Sequence, residues 1–256
     1  MYPCDPNGHV DCKLSKDKPL RGDTYLSKTP PNAEKKTVSR IVCFDVDGTL
    51  LDDTVFIWET LHTSLKTDNA ARAQARDDYF AGRITYNDWF QHDLRLFREV
   101  GITRERVLEV IRRDITPMGG AYETLATLQE RGYGLAIISG SIDIVLHEFF
   151  GDIPFRHVLI SRIQWSDNGK LIGGEATKYD FDGKARGLLH IAKEEGLRAE
   201  DCGFVGDNFN DLEAIQTAGT GIAFNAKNDA IKEAAKVVIP GGDLRKILPY
   251  FPPLNS

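Results

Sequence analysis

The sequence predicts an α/β protein: a doubly wound parallel sheet with helices on both faces and a small helical insertion after its first strand. Three observations lead to this class. Short, continuously apolar runs alternate with helical segments of about 10–15 residues, the order expected of stacked βαβ units. Residues 54–113, directly after the first apolar run, show helical spacing throughout and no strand-like alternation. Three of the apolar runs end in polar clusters, at 45–49, 139–141 and 206–211, and an open parallel sheet binds its ligands at the carboxyl ends of its strands.

The first strand is expected at 41–44, where Ile41, Val42, Cys43 and Phe44 form an unbroken apolar run, as a strand buried on both faces requires. In the insertion, Ile57, Leu61 and Leu65 recur at helical spacing, as do Phe90, Leu94 and Phe97, then Val107, Val110 and Ile111. A proline and two glycines within 114–120 end it. Ala121, Leu125 and Leu128 mark a helix that stops near Gly132, and "YGLAIISGS" reads as a buried strand running into a polar turn. A helix is expected over 142–150. Asp167-Asn168-Gly169 is a hairpin signal inside "HVLISRIQWSDNGKLIGGE". A helix over about 184–195 stops before Gly196; a strand and loop with a short helix follow at "CGFVGDNFND"; "TGIAF" and 237–239 are two more strands. The expected domains are an N-terminal extension (1–39), an α/β core (40–53 and 115–256) and a helical cap (54–114).

Composition narrows the function. The chain has 256 residues, 41% of them hydrophobic and 27% charged, with a net charge of −6. This acidic balance speaks against nucleic acid as a partner, since a phosphate backbone needs a cationic footprint. No apolar run approaches the ~20 residues of a membrane span, and the first residues lack the apolar stretch of a signal peptide. With four cysteines and Cys43 in an apolar run, the expected location is the cytoplasm. Residues 1–40 hold eight Lys/Arg, five Asp/Glu and five prolines with few large apolar residues, which suits a loosely ordered extension. Cys4, His9 and Cys12 lie in it without a fourth ligand for a zinc site.

The three clusters carry the chemistry. Asp45, Asp47, Asp207 and Asp211 stand at strand ends that a parallel sheet can bring side by side. Carboxylates gathered in one crevice repel one another unless a cation or protons intervene. Oxygen ligands without a nearby His or Cys suit a hard divalent ion, Mg²⁺ above all. Ser139-Gly140-Ser141 ends the second strand, and Lys184 opens a helix between the second and third clusters.

"FDVDGTL", "SGS", "GKARG" and "GDNFND" together resemble the haloacid dehalogenase-like hydrolases, with the phosphoserine phosphatase branch the nearer match, over about residues 40–250. The resemblance implies a Rossmann-like core with a small helical cap, and hydrolysis of a small soluble phosphomonoester through an aspartyl phosphate. It implies that Asp45 is the nucleophile and that Asp47 protonates the leaving oxygen and then deprotonates water. It implies Mg²⁺ on the Asp45 carboxylate, the Asp47 backbone carbonyl and Asp207, with Asp211 behind them. Ser139, Gly140 and Asn210 would contact the phosphoryl group, with Asn210 alternatively orienting water ligands or the lysine. Lys184 would neutralise charge shared by phosphate and carboxylates, in preference to Lys178 because it stands on the first turn of a clear helix. The same residues serve a phosphotransferase equally well, whereas a binding protein has no need of both Asp45 and Asp47.

The chain departs from this branch where substrate is chosen. Thr54 stands where the branch has a Glu that meets the serine amine, and Asp93 where it has an Arg that meets the carboxylate, with Arg95 close by. Asp52, Asp53 or Asp93 could meet an amine, and Arg95 or Arg83 a carboxylate.

Overall fold

The computed structural model describes residues 37–52, 54 and 56–254. The readings placed on 1–36, including Cys4, His9 and Cys12, and on Asp53 lie outside the described residues.

Strand β1 (Ile41–Phe44) is buried along its length. It pairs in parallel with β4 (Gly134–Ile142) on one side and β7 (Cys202–Gly206) on the other. Outward from β4 lie β5 (His157–Trp165) and β6 (Leu171–Glu175); outward from β7 lie β8 (Thr220–Phe224) and β9 (Val237–Ile239). All pairings are parallel except that of β5 with β6. The period of two splits β1 between two cores. Val42 and Phe44 pack with Leu135, Ile137 and Val205, while Ile41 and Cys43 pack with Ala136, Ile138 and Phe204. That is why its sequence is continuously apolar rather than alternating. The chain winds away from β1 in both directions, so a crevice opens beyond the carboxyl ends of β4, β1 and β7.

Residues between β1 and β4 form α1 (Ile57–Leu65), α2 (Asn69–Phe80), α3 (Tyr86–Glu99), α4 (Arg104–Asp114) and, after a short connection, α5 (Ala121–Glu130). Side-chain caps start three of them: Asp68 accepts from Ala70 and Ala71 N–H, Thr85 and Asp88 form a capping box, and Thr103 accepts from Arg106 N–H. Their interior is aromatic: Trp58 meets Phe90 edge-on at 5.5 Å between centroids and stacks on Phe97 at 6.0 Å. Helix α6 (Asp143–Phe150) follows β4, and α7 (Lys184–Glu195) ends at Gly196 in the left-handed region.

Three features were not anticipated. Strand β4 continues through Ser139-Gly140-Ser141 to Ile142, with its register against β5 shifting between Ile138 and Ile142, where a turn was expected. The serines satisfy locally what the ladder loses: Ser139 Oγ accepts from Ser141 N–H at 3.1 Å. A two-stranded antiparallel ribbon, β2 (Leu51–Asp52) with β3 (Thr116–Pro117), closes the root of the helical insertion. Helix α8 (Leu212–Thr217) follows β7 as expected, but α9 (Asp229–Ala234) after β8 was not foreseen: it is too short to show a period and starts on the cap Asn228. None of the helices among the described residues is long and apolar enough to cross a membrane.

Candidate active site

The site begins where β1 runs out. Asp45 N–H still bonds to Val205 C=O at 3.0 Å, and the chain then turns on Val46, whose carbonyl accepts from Leu50 and Leu51 N–H at 2.9 Å. Both Asp45 and Asp47 stay buried in that turn. Gly48 has φ +76°, and a Cβ there would stand 2.1 Å from Asp207 Oδ2, so conformation and space both demand glycine.

Lys184, the first residue of α7, is 1% exposed. Its Nζ donates to Asp45 Oδ1 at 2.7 Å and to Asp211 Oδ1 at 2.5 Å. Asp211 Oδ2 accepts from the N–H groups of Asp207 and Asn208 at 2.9 and 3.1 Å. Asp211 thus spends both oxygens holding the lysine and the loop. Lys178 is exposed, so Lys184 alone of the two reaches the carboxylates. Asn208 is also structural: its Oδ1 accepts from Phe209 N–H at 2.8 Å and from Asn228 Nδ2 at 3.3 Å.

Ligand oxygens of Asp45, Asp207 and Asp211 lie within 4.8 Å of one another. One lysine faces these three buried carboxyls. Burial raises the Asp45 carboxyl to about 7, against the pull of Lys184. Burial and the charges of Asp45 and Asp211 raise Asp207 to about 9. Burial alone would depress the Lys184 ammonium, but Asp211 and Asp45 outweigh it and hold it well above its usual value. Asp207 Oδ2 is buried and has no hydrogen-bond partner. A buried, negatively charged, oxygen-only cluster with an orphaned carboxylate oxygen fits a hard divalent cation.

Asp47 belongs to a different arrangement. Its Oδ1 accepts from Ser141 Oγ at 2.8 Å and its Oδ2 from Ile57 N–H, the first amide of α1, at 2.7 Å. Its carboxylate therefore points out of the acidic cluster. Burial lifts its ionisation to about 6 in spite of these two bonds, near the working range of a general acid–base group. The sequence shows both serines of this motif but not which one meets Asp47; the structure assigns that contact to Ser141.

These groups line a cavity of about 270 Å³ shared with the helical insertion. Asp45, Asp47, Ser139, Gly140, Asp207 and Asn210 contribute from the core; Glu59, Arg72, Arg76 and Asp93 are the charged residues from the insertion. The cations expected there are misplaced. Arg95 is 60% exposed beside Glu99, and Arg83 is 57% exposed beside Asp78; α2 instead turns Arg72 and Arg76 toward the cavity. Thr54 is buried and donates to Asp52 C=O at 3.1 Å. Asp93 faces His62 Nε2 at 3.5 Å and Arg72 Nε at 3.7 Å.

A model of the haloacid dehalogenase-like hydrolases matches residues 40–219. The chain belongs to that family. A phosphoserine phosphatase of Methanocaldococcus jannaschii is 33% identical over 223 residues, 85% of this chain and 99% of the relative. A solved phospho-aspartyl intermediate analogue of phosphoserine phosphatase superposes with a TM-score of 0.65 at 30% identity, covering 83% of this chain and 98% of that one. A substrate-bound phosphoserine phosphatase complex gives 0.66 at 29% identity, covering 85% and 100%. Within the family this chain falls in the phosphoserine phosphatase-like branch and is a phosphoric monoester hydrolase.

Proposed function

We propose a Mg²⁺-dependent phosphatase acting on a small phosphomonoester, with residues 54–114 as a cap over the crevice. The observation that carries this reading is the buried Lys184 clamped between Asp45 and Asp211 beside the orphaned Asp207 oxygen. Asp45 Oδ1 is engaged by Lys184, and the other oxygen attacks phosphorus to form the aspartyl phosphate. Asp47, held by Ser141 and the α1 amide, donates its proton to the departing oxygen. Now a carboxylate, it takes a proton from the water that hydrolyses the acyl phosphate. Mg²⁺, held by the Asp45 carboxylate, the Asp47 carbonyl and Asp207, would supply positive charge for the phosphoryl oxygens. Ser139, the Gly140 amide and Asn210 hold those oxygens, and Lys184 offsets charge as it develops.

For the substrate, the insertion offers an acid, Glu59, and two cations, Arg72 and Arg76, at the cavity wall. A leaving alcohol with both an amine and a carboxylate matches that set, and phosphoserine is the best single candidate. A second reading rests on Phe56, Trp58, Phe80 and Trp89, which give the same wall an aromatic surface and favour a bulkier or aromatic ester. The acidic chain disfavours nucleic acid as substrate, and the buried free thiols Cys43 and Cys202 support a reducing, cytoplasmic setting.

The test is phosphate release from a panel that includes phosphoserine, other small amino and hydroxy phosphates, and aromatic phosphates, with and without Mg²⁺. Mg²⁺-dependent release with phosphoserine ranked first supports the reading; an aromatic ester ranked first selects the second one. Activity persisting in excess chelator refutes the metal assignment. Added alcohols that capture the phosphoryl group would show transfer instead of hydrolysis.

A further inference from the structure

The loop between β6 and α7 contains a carboxylate, Asp180, to which the sequence assigned no role. It is partly buried at the junction of the core site and the helical insertion. Its Oδ1 accepts from Asn210 Nδ2 and its Oδ2 from Tyr86 Oη, both at 2.9 Å. Asn210 belongs to the loop after β7, and Tyr86 is the first residue of α3. Gly140 packs against the same carboxylate so closely that a Cβ there would stand 1.9 Å from Asp180 Oδ2.

The next residue anchors the loop. Phe181 has φ +34°, a sterically disfavoured value for a residue with a side chain. Such a conformation persists where its surroundings over-determine it. Here the ring sits among Tyr79, Phe80, Tyr86 and Trp89 of the insertion, with centroids 5.3 to 5.9 Å away. Asp180 therefore cannot drift without pulling Phe181 from its aromatic socket.

We propose that Asp180 is a positioning residue for phosphoryl transfer, tying Tyr86 of the insertion to Asn210 of the site. This rests on the reading of Asn210 as a phosphate contact. A side-chain amide has two donor protons and one acceptor oxygen. The bond to Asp180 uses one proton and fixes the amide plane. Asn210 Oδ1 is buried without a partner, so it and the second proton serve what enters the cavity. Tyr86 fixes the other half of the Asp180 carboxylate, so seating the insertion and setting Asn210 are one event. Preorganisation of this kind acts on the transition state, because the amide need not be reoriented during the reaction.

The experiment is a double-mutant cycle on the full chain, read as kcat/KM for 4-nitrophenyl phosphate in saturating Mg²⁺. Losing a hydrogen bond to a charged group predicts a fall of roughly 10- to 100-fold for Asp180→Ala. Asn210→Ala should fall comparably, and the double variant no further than about threefold below the lower single. Asp180→Asn, which keeps an acceptor for Asn210, should recover most of the loss. Tyr86→Phe should cost roughly 3- to 10-fold in the wild-type background and nothing in Asp180→Ala. Asp180→Ala within twofold of wild type, or losses that multiply in the double variant, overturn the proposal. A lowered melting temperature with unchanged kcat/KM also overturns it, as that marks a purely structural bridge. If Asp180→Ala fails to fold, wild-type kcat/KM in Tyr86→Phe has the same force. Asp45→Asn in the same assay separates the two readings: turnover within tenfold of wild type refutes the nucleophile assignment, whereas an inactive Asp45→Asn with a multiplicative cycle refutes only the role of Asp180.

Discussion

The strand ends and the helical insertion meet at one cavity, yet they hold their charged groups differently. At the strand ends the bonds are short and interlocked: Lys184 lies 2.7 Å from Asp45 and 2.5 Å from Asp211, and Asp211 in turn holds two amides. In the insertion, Arg72 and His62 stand 3.7 and 3.5 Å from Asp93. Arg72 Nε, His62 Nε2 and Asp93 Oδ1 are all buried without a hydrogen-bond partner. The difference follows from the backbone. Three parallel strands bonded side by side fix the Cα positions that launch the core carboxylates. Side chains from separate helices meet only through packing, which leaves these charged groups farther apart. On the proposed function, the reaction chemistry would sit on the strand ends and the choice of substrate on the insertion.

The largest effect that would break this division is at the nucleophile. Asp45→Asn should lower phosphate release by at least about 10³-fold, because an amide cannot form the acyl phosphate. Circular dichroism and the melting temperature should stay close to wild type, since a buried charge is removed from a crowded cluster. Turnover within tenfold of wild type would show that the strand-end cluster does not carry the chemistry.

The metal comes next. Asp207→Ala should raise the Mg²⁺ concentration for half-maximal activity by well over about 100-fold, beyond the 10–100-fold typical of outer-shell changes. Asn208→Ala should leave it near wild type, because that side chain caps its own loop. Equal effects in a Mg²⁺ titration would mean that the loop fold, not the carboxylate, governs the metal.

In the insertion the expected change is smaller and of another kind. Asp93→Ala leaves Arg72 and His62 without their shared acid, which should cost about 1–3 kcal/mol of stability in urea unfolding. It should also alter the ratio of kcat/KM for phosphoserine to that for 4-nitrophenyl phosphate. A uniform fall in both would confine Asp93 to holding the helices together.

The smallest effect sharpens the contrast away from the site. Burial, helped by the charges of Arg104 and Arg162, depresses His147 from 6.5 to about 4. The folded state keeps this ring neutral while the unfolded chain protonates it, so stability is lost as pH falls from about 6.5 to about 4. Asp143, raised by burial to about 6, acts in the opposite sense, since the folded state holds its proton longer. In His147→Gln the His147 contribution is gone, while those of Asp143 and the other buried carboxyls remain. Its stability relative to wild type should rise by about 1–2 kcal/mol across that window, after discounting for solvent screening of a partly exposed ring. A parallel pair of stability–pH curves would contradict the shift at His147.

The legibility of the chain divides along the same line. The strand 41–44, the helix 184–195 and the short strands 220–224 and 237–239 could be read because their signal is local: an apolar run, a helical period or a glycine stop. Asp45, Asp47, Ser139, Lys184 and Asp207 could be singled out because each stands at the end of such an element, where a parallel sheet gathers ligands. The role of Ser141 is not legible in the sequence, since a run of Ser-Gly-Ser does not say which hydroxyl faces the acid. Arg83 and Arg95 are the cations near Asp93 in sequence, whereas the packing of α2 against α3 decides that Arg72 and Arg76 meet the cavity.

Sequence alone determined the order along the chain of the seven strands of the main sheet and of most of the helices, the interrupted first crossover and the identities of the acidic groups, because apolar period and turn chemistry act over a few residues. Tertiary structure decided which carboxylates gather around Lys184, which acid is turned away onto Ser141 and the α1 amide, and which cations of the insertion face the cavity. It also brought Asp180 between Tyr86 and Asn210, residues 94 and 30 positions from it along the chain. Contacts of that range have no local period to announce them; they exist only once the sheet and the insertion have packed.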